Sequence, residues 1–252
     1  MSLIPKSHPR AKSLLIREKL VHGFDQGLVA KEGLMAHGRG EAFDYLLGEK
    51  TSRNAKNAIK AAASALLRAS YPVISVNGNI AALCPMEIVK LAKIIDAKIE
   101  VNIFYSDKKR KQNIAKILKK YGAREVLGLD PRYSRHIPRL ESSRRIVDEN
   151  GIYKADVVLV PLEDGDRTLA LKKSGKKVIT FDLNPLSRTA VTADITIVDN
   201  VIRGINQLIK ECKTQSGKNY TSKKIIRFNN KKNLATTVLE IKKHLLRRSP
   251  NA

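Results

Sequence analysis

Short, almost uninterrupted apolar runs alternate with amphipathic stretches between about residues 70 and 212. This pattern predicts strands at 72–76, 98–105, 124–129, 156–162, 177–183 and 194–199. It predicts helices between them at 85–96, 107–122, 166–175 and 200–212. Strands that are apolar on both faces and separated by helices indicate an α/β fold, in which helices cover both faces of a mostly parallel sheet.

The two ends of the chain show helical periodicity without strands. Helices are predicted at 10–27, 41–49 and 51–70, and a last one at 231–247 follows a polar, lysine-rich connector at 214–230. We therefore predict a single α/β domain over residues 1–252. It would comprise a helical N-terminal segment (1–70), the parallel-sheet core (71–212) and a basic connector with a C-terminal helix (213–252).

Composition indicates the cellular compartment in which the protein works. The 252 residues contain no apolar run approaching the roughly 18 to 20 residues that a membrane span requires. The N-terminal residues lack an apolar core of signal-peptide length, so we expect a cytoplasmic protein without a membrane partner. Cys84 and Cys212 have no spacing that would hold a metal and suggest a reducing compartment.

The net charge of +24, from 48 Lys and Arg against 24 Asp and Glu, raises the question of nucleic-acid binding. Much of the excess lies in amphipathic stretches at 106–120, 171–177 and 221–248, which are typical of solvated helix faces. Aromatic residues make up only 5% of the chain and tryptophan is absent, so bases would find few stacking partners. A basic nucleic-acid-binding protein is thus the weaker alternative.

One short segment, His37-Gly38-Arg39-Gly40, places two cationic side chains directly before the predicted helix 41–49. A helix N-terminus already carries partial positive charge, so an arginine there is unfavourable unless an anion binds to it. The segment therefore predicts part of a phosphate or carboxylate site.

Polar residues also follow several predicted strands, at the sheet edge where ligands of open parallel sheets bind. Ser75, Asn77, Gly78 and Asn79 follow the first strand, although a tight strand-to-helix turn uses the same residue types. Asp182, Asn184, Arg188 and Thr189 follow the strand at 177–183, and a turn at Asn184-Pro185 explains neither Arg188 nor Thr189. Asp199 and Asn200 follow the last strand, where helix capping is an alternative.

Three carboxylates, Glu163, Asp164 and Asp166, lie after the strand at 156–162. Their oxygens are the ligands that Mg²⁺ prefers. An acidic helix N-terminus accounts for the same residues. The chain has no P-loop, no complete dinucleotide fingerprint and no G-x-S-x-G motif, so a nucleotide would be held by an unusual arrangement.

Seven segments together resemble the archaeal phosphopantothenate synthetases, the 4-phosphopantoate–β-alanine ligases of coenzyme A biosynthesis. They are IPKSHPR (4–10), REKL (17–20), HGRGEAFDYLLGE (37–49), PVISVNGN (72–79), VPLEDGDRT (160–168), DLNPLSRT (182–189) and ITIVDN (195–200). The resemblance spans roughly residues 3 to 210. It implies a Rossmann-like core, a homodimer, and a reaction in which ATP becomes AMP and pyrophosphate while 4-phosphopantoate joins β-alanine.

The resemblance also implies an ATP site, formed by Arg17, Arg39, Asp182-Leu183-Asn184, Arg188-Thr189 and Asp199-Asn200. Arg17 is assigned by the resemblance alone.

The chemistry of the reaction suggests roles for the remaining candidates. A carboxylate is a poor acyl donor, so its attack on the α-phosphorus of ATP would form an acyl-adenylate that the amine of β-alanine then opens. Arg39 and Arg188, with Mg²⁺, would stabilise the charge, and His37 would contact the α-phosphate or the carboxylate. Residues 75–79 would hold the pantoate moiety. Another AMP-forming ligase, or a nucleotide-binding oxidoreductase, on the same scaffold is the alternative.

Overall fold

The computed structural model of the protein describes residues 4–5, 7–104, 107–217 and 226–248. Three helices precede the first strand: α1 (Ala11–Asp25), α2 (Lys31–Leu47) and α3 (Arg53–Leu67). The predicted helices at 10–27 and 51–70 are thus confirmed. The helix predicted at 41–49 begins ten residues earlier than expected. Gly38 and Gly40, which we expected directly before this helix, both lie within α2, because helix geometry tolerates glycine at a modest cost.

The central sheet contains five parallel strands in the order β2-β1-β5-β6-β7. The strands are β1 (Pro72–Val76), β2 (Lys98–Val101), β5 (Val157–Pro161), β6 (Lys177–Phe181) and β7 (Ile195–Ile197). The helices between and after them are α4 (Gly78–Leu83), α5 (Pro85–Ile95), α6 (Lys108–Lys120), α7 (Gly165–Lys173), α8 (Arg188–Thr192) and α9 (Val201–Gly217). This confirms the predicted α/β class and the Rossmann-like parallel sheet.

The strand predicted at 124–129 is wrong. Only Leu127 reaches the sheet, through an isolated bridge to Glu100. The chain then turns away at Gly128, which has φ +83° and whose Cβ, if present, would lie 2.5 Å from the carbonyl oxygen of Val101. A left-handed glycine pressed against the backbone ends strand pairing at this point.

A small antiparallel pair, β3 (Ser134–His136) and β4 (Ile146–Asp148), lies outside the main sheet and was not predicted. Two 3₁₀ turns, Pro131–Tyr133 and Ser143–Arg145, flank these strands. The last helix, α10 (Asn230–Arg248), confirms the prediction at 231–247. Residues 218–225 of the predicted connector, and residue 105 at the end of the predicted second strand, lie outside the described residues.

Alternate side chains of the strands pack against two separate apolar layers. Ile74 and Leu159 face the larger layer, formed with α3, α5 and α9, whereas Val73 and Val158 face a layer completed by α7 and residues 137–155. Burial on both faces explains why the strands are apolar throughout. In the part of the chain that the structure describes, no helix is long and apolar enough to cross a membrane.

Candidate active site

The strand order reverses between β1 and β5: β1 pairs with β2 on one side and with β5 on the other. Loops diverge at such a point and leave a crevice at the carboxyl ends of the strands. A cavity of about 720 Å³ lies there. Its polar lining comprises Glu32, His37, Arg39, Asn77, Asn79, Arg110, Arg144, Glu163, Asp164, Asp182, Asn184, Ser187, Arg188, Thr189 and Asn200.

Helix α2 forms one wall of this cleft and contributes His37, Arg39 and Gly40. These residues lie in the middle of the helix, so the predicted arrangement, an arginine at a helix N-terminus, is wrong. The backbone amides at 38–40 are engaged in the helix and are not free to bind an anion. A Cβ on Gly38 would have nothing within 4 Å, and one on Gly40 would meet only Leu183, at 3.7 Å.

His37 is half-buried, and its Nε2 is buried without a hydrogen-bond partner. Burial lowers the pKa of His37, and Arg17 adds to this, while Glu41 and Asp44 oppose it. The imidazole is therefore favoured in its neutral form, which can accept a proton or a hydrogen bond.

The turn after β6 is organised by the Asp182 carboxylate. One of its oxygens accepts a hydrogen bond from the Asn184 amide at 2.9 Å, and the other accepts a close hydrogen bond from the Ser187 hydroxyl. Ser187 in turn caps α8 by accepting from the Ala190 amide at 2.9 Å. Burial raises the pKa of Asp182, whereas Ser187, Asn184 and Arg39 oppose the shift. The predicted segment 182–184 thus lies in the cleft with Arg39 near it.

Arg188 and Thr189 begin α8 and also line the cleft. Arg188 is exposed and forms an ion pair with Asp166, and the Thr189 hydroxyl donates to the Glu163 carbonyl at 2.9 Å. A Cβ on Gly165 would lie 2.4 Å from the Cβ of Arg188, so the close approach of α7 and α8 requires glycine there.

Asn77 joins the two strands that flank the crevice. Its Oδ1 caps α4 by accepting from the Ile80 amide at 3.1 Å, and its Nδ2 donates to the Leu162 carbonyl at 2.9 Å. Gly78 is required because a Cβ there would lie 2.1 Å from the Leu28 carbonyl oxygen. Asn77, Gly78 and Asn79 line the cleft, and their role in binding the substrate stays a prediction.

Ser75 does not line the cleft. It is buried, and its hydroxyl accepts a hydrogen bond from Arg167 Nη2 at 3.1 Å. Its place inside the strand, one position before the chain leaves the sheet, directs it into the protein.

The carboxylates proposed as magnesium ligands are engaged by arginines. Glu163 contacts both Arg144 and Arg167, and Asp166 pairs with Arg188. Asp164 caps α7 by accepting from the Arg167 amide at 2.8 Å. Among the described residues, no three His, Cys, Asp or Glu side chains come together as a metal-binding group. The acidic triplet does not fit a magnesium site, because each of its three carboxylates pairs with an arginine.

Asn200 lines the cleft, whereas Asp199 does not. Asp199 is buried, accepts from the Thr51 hydroxyl at 2.7 Å and pairs with Arg203 at 2.7 Å. Burial raises the pKa of Asp199, and Arg203 is the largest opposing influence. Arg203 also pairs with Asp44 of α2 at 2.6 Å, so Asp199 anchors the helix that carries Arg39.

Arg17 also lies outside the cleft. Its Nε contacts Glu41 at 2.8 Å, and Arg10 contacts the same carboxylate at 3.0 Å. The structure therefore places Arg17 beside α2, where it holds Glu41 one helical turn from His37.

Sequence reasoning missed Arg110, Arg144 and the aromatic residues Phe43 and Phe104, all of which line the cleft. Arg144 comes from a 3₁₀ turn in a region without periodicity. The only signal in the sequence is the arginine pair at 144–145 in a chain already rich in arginine.

The strand topology and the cleft define a Rossmann-like α/β protein with a charged site at the carboxyl ends of the strands, lined by four arginines and four carboxylates. The profile of the phosphopantothenate/pantothenate synthetase family matches residues 54–244. The chain belongs to this family.

Curated relatives agree with this assignment. A 4-phosphopantoate–β-alanine ligase of Thermococcus kodakarensis is 51% identical over 249 residues, covering 97% of this chain and 94% of the relative. The ligase of Thermococcus onnurineus is 52% identical over 250 residues, with 97% and 94% coverage. That of Methanosarcina mazei is 50% identical over 248 residues, with 97% and 96% coverage.

Proposed function

We propose that the protein condenses 4-phosphopantoate with β-alanine to 4′-phosphopantothenate in coenzyme A biosynthesis, while ATP is converted to AMP and diphosphate. The observation that carries the proposal is the identity of about 50% along nearly the whole chain to ligases of this name. The cleft supports it, because most of the predicted ATP and substrate residues line a single cavity.

We propose two chemical steps. A carboxylate oxygen of 4-phosphopantoate attacks the α-phosphorus of ATP, and the bond from that phosphorus to the bridging oxygen of diphosphate breaks. The nitrogen of β-alanine then attacks the acyl carbon, and AMP leaves with the oxygen that came from the carboxylate. The ammonium of β-alanine loses two protons in forming the amide.

Charge stabilisation is the main contribution that the cleft can make. Arg39 on α2 and Arg188 on α8 line the same cleft as the turn at 182–184, and a guanidinium can form two parallel hydrogen bonds to a phosphate. Fixed cations beside the α-phosphate would stabilise the charge that develops as diphosphate leaves. His37, favoured as a neutral imidazole, would contact the carboxylate or the α-phosphate.

Arg17 would have to release Glu41 to reach ATP, since the two are paired. We therefore propose that Arg17 and Asp199 act on the ATP site through α2, by contacts that orient the helix. Mg²⁺, which the reaction of ATP implies, finds no ligand set in Glu163, Asp164 and Asp166. We assign no step to it.

The family resemblance also leads us to propose a homodimer. Helices α8 and α10 pack together and expose Val191 and Leu239 to solvent, and Leu186, in the turn before α8, is exposed as well. Light scattering on the purified protein tests this proposal, since a monomer at micromolar concentration would contradict it.

The activity is tested by AMP release from ATP and Mg²⁺, with 4-phosphopantoate and β-alanine supplied separately and together. AMP that requires both substrates supports the proposal, and equal or faster use of unphosphorylated pantoate contradicts the assigned substrate. Substitution of Arg188 by lysine should raise the KM for ATP, whereas the exposed Arg132, outside the cleft, provides a matched control as Arg132→Lys.

A further inference from the structure

Helix α10 contacts several segments of the predicted ATP site but lies outside the cleft. All of its residues are described by the structure, and none of them lines the cavity. It packs against α2, which carries Arg39, and against α8, which begins with Arg188 and Thr189. It also packs against β7, which leads to Asp199 and Asn200. The last helix is thus the common neighbour of three parts of the site.

A small apolar cluster fixes these parts relative to one another. Leu183, inside the predicted ATP segment 182–184, and Ala190, directly after Thr189, are both buried in it. Buried side chains interlock at the packing density of organic crystals, so a shift of one segment is opposed by the others. Helix α10 contributes one buried member and one partly buried member. The buried members are Leu47, Leu183, Ala190, Val198 and Leu234, and Phe43 and Ile241 pack against them.

The first turn of α10 covers the edge of the sheet and holds α8. Among the described residues, β7 is the last strand of the sheet, so its outer edge pairs with no other strand. Asn230 Oδ1 accepts from the Thr196 amide at 2.9 Å, and Asn233 Nδ2 donates to the Thr196 carbonyl at 3.0 Å. Asn230 Nδ2 also donates to the carbonyls of Ala190 at 2.8 Å and Ala193 at 2.9 Å. Two asparagines of α10 thus attach both β7 and α8 to this helix.

The other end of α10 holds α2. His244 Nδ1 lies 2.9 Å from the Leu46 carbonyl oxygen, and because a carbonyl can only accept, Nδ1 carries the proton. The last carbonyls of a helix have no partner within the helix, so this bond satisfies one of them. Gly48, with φ +82°, ends α2, and a Cβ there would lie 3.2 Å from His244 Nε2. The imidazole therefore packs directly on the C-terminus of α2.

Contacts from outside matter for α2 because the helix is intrinsically weak beside Arg39. Gly38 and Gly40 lie on either side of this residue, and glycine lowers the stability of a helix interior. A Cβ on Gly38 would have nothing within 4 Å, so packing does not require glycine there. The position of Arg39 therefore depends on the contacts at both ends of α2. Asn79 Nδ2 holds the first turn, through a hydrogen bond of 2.8 Å, and His244 holds the last.

We propose that His244, together with Asn230 and Asn233, positions the nucleotide-binding residues of the cleft. The proposal rests on the proposed function, because it names what supports the ATP site. These three side chains do not contact ATP. They hold α2 and α8 so that Arg39 and Arg188 are in place before ATP arrives, and binding to a site that is already ordered costs less entropy.

His244→Ala tests the positioning role by steady-state kinetics. The KM for ATP should rise by roughly 3- to 10-fold, the effect of losing one hydrogen bond, while the KM values for 4-phosphopantoate and β-alanine stay within about twofold. His244→Gln should restore part of the affinity, because glutamine also carries an N–H donor. Lys243→Ala, one residue earlier on the exposed face of the same helix, is the matched control and should change none of the three constants.

A purely structural role would give a different result. Partial unfolding lowers the fraction of active enzyme, so kcat would fall while every KM stayed the same. Asn230→Asp is the second variant, because it keeps the acceptor for the Thr196 amide and removes both donors to α8 and its following residue. It should raise the KM for ATP by a larger factor than His244→Ala. An unchanged KM for ATP in both variants, or an equal rise for all three substrates, would overturn the proposal.

A binding measurement separates this proposal from the proposed function. Titration calorimetry with ATP and Mg²⁺ alone should show binding that is roughly 3- to 10-fold weaker in His244→Ala than in the wild type or in Lys243→Ala. If this difference is found but the wild type forms no AMP, the assigned reaction is wrong and the positioning role stands. Equal affinities in a protein that does form AMP overturn the positioning role alone. A wild type that binds no ATP overturns both.

Discussion

Glu163 is the buried counterion of two arginines, and its replacement should be the most destabilising single change in the cleft. Its side chain is 1% exposed, and its partners Arg167 and Arg144 are 0% and 10% exposed. Glu163→Gln keeps the shape of the side chain and removes its charge. Both arginines then lose their principal partner in a region from which water is excluded.

The size of the stability loss in Glu163→Gln follows from the burial of Arg144 and Arg167. Breaking a buried ion pair by removing one partner costs about 3 to 5 kcal/mol. The remaining contact of Asp164 with Arg144, at 3.0 Å, and the carbonyl oxygen of glutamine favour the lower end. At roughly 2 to 4 °C per kcal/mol for a domain of this size, a loss of about 3 kcal/mol lowers Tm by roughly 6 to 12 °C.

Thermal unfolding followed by circular dichroism measures this loss. Asp166→Asn is the matched control, because Asp166 also pairs with an arginine but is 65% exposed. An exposed ion pair contributes roughly 0 to 1 kcal/mol, so the control should melt within about 4 °C of the wild type. A Glu163→Gln protein that melts as close to the wild type as this control would refute the reasoning. Removal of Arg167 as well, by Arg167→Met, should recover part of the stability, since it eliminates one uncompensated charge.

Further changes test other parts of the account. Gly33→Ala should lower the free energy of unfolding by roughly 1 to 3 kcal/mol, because the new Cβ would lie 2.3 Å from Asn79 Oδ1, whereas Gly38→Ala in the same helix has open space and should stabilise by up to about 1 kcal/mol. Equal effects of the two substitutions in urea titrations would contradict this explanation. Because folding lowers the pKa of His37, the unfolded chain binds a proton at this imidazole more readily than the folded protein does. Tm should therefore fall as the pH drops below about 6.5, and above that pH His37 should not affect Tm. In His37→Gln this part of the pH dependence should disappear, and its persistence would assign the effect to another group. Asn77→Ala should raise the KM for 4-phosphopantoate by a larger factor than the KM for ATP. A change in the KM for ATP alone would contradict the placement of the acyl substrate. The same variant should lose about 1 to 2 kcal/mol of stability with the α4 cap, as measured by thermal melting.

Most of the sheet was predictable because buried strands leave a simple signature. Runs such as 72–76 and 177–181 are apolar throughout, and polar residues follow directly where the chain leaves the sheet. The same rule predicts that Asn77 and Asp182 lie at the carboxyl edge of the sheet, where both line the cleft. It failed at 124–129, where an apolar run meets the sheet at one residue and Gly128 turns the chain away.

The remaining errors come from features that have no periodicity. Helix α2 begins at Lys31 without a side-chain cap, so nothing in the sequence marks its start. Gly38 and Gly40 are unfavourable inside a helix and therefore favoured a later start in the prediction. Arg144 reaches the cleft from a 3₁₀ turn more than forty residues after β2, in a segment organised by Asn102 and by the short β3–β4 pair. Long-range contacts of this kind depend on tertiary packing and cannot be inferred from the spacing of residue types.

The same limit applies to the acidic residues. Three carboxylates at 163, 164 and 166 after a strand are consistent with a metal site and with a helix cap, and the choice depends on what lies opposite them. In the folded protein Arg144, Arg167 and Arg188 face Glu163, Asp164 and Asp166. Two of these arginines are buried, which explains why they could not be recognised among the many basic residues of the chain.

The central claim, that the cleft joins the carboxylate of 4-phosphopantoate to the α-phosphorus of ATP, is tested most directly by oxygen transfer. The enzyme is supplied with 4-phosphopantoate labelled with ¹⁸O in its carboxylate, together with ATP, Mg²⁺ and β-alanine, and the nucleotide product is analysed by mass spectrometry. An acyl-adenylate predicts AMP that carries one ¹⁸O atom. Unlabelled AMP, or ADP with the label in inorganic phosphate, would contradict the account.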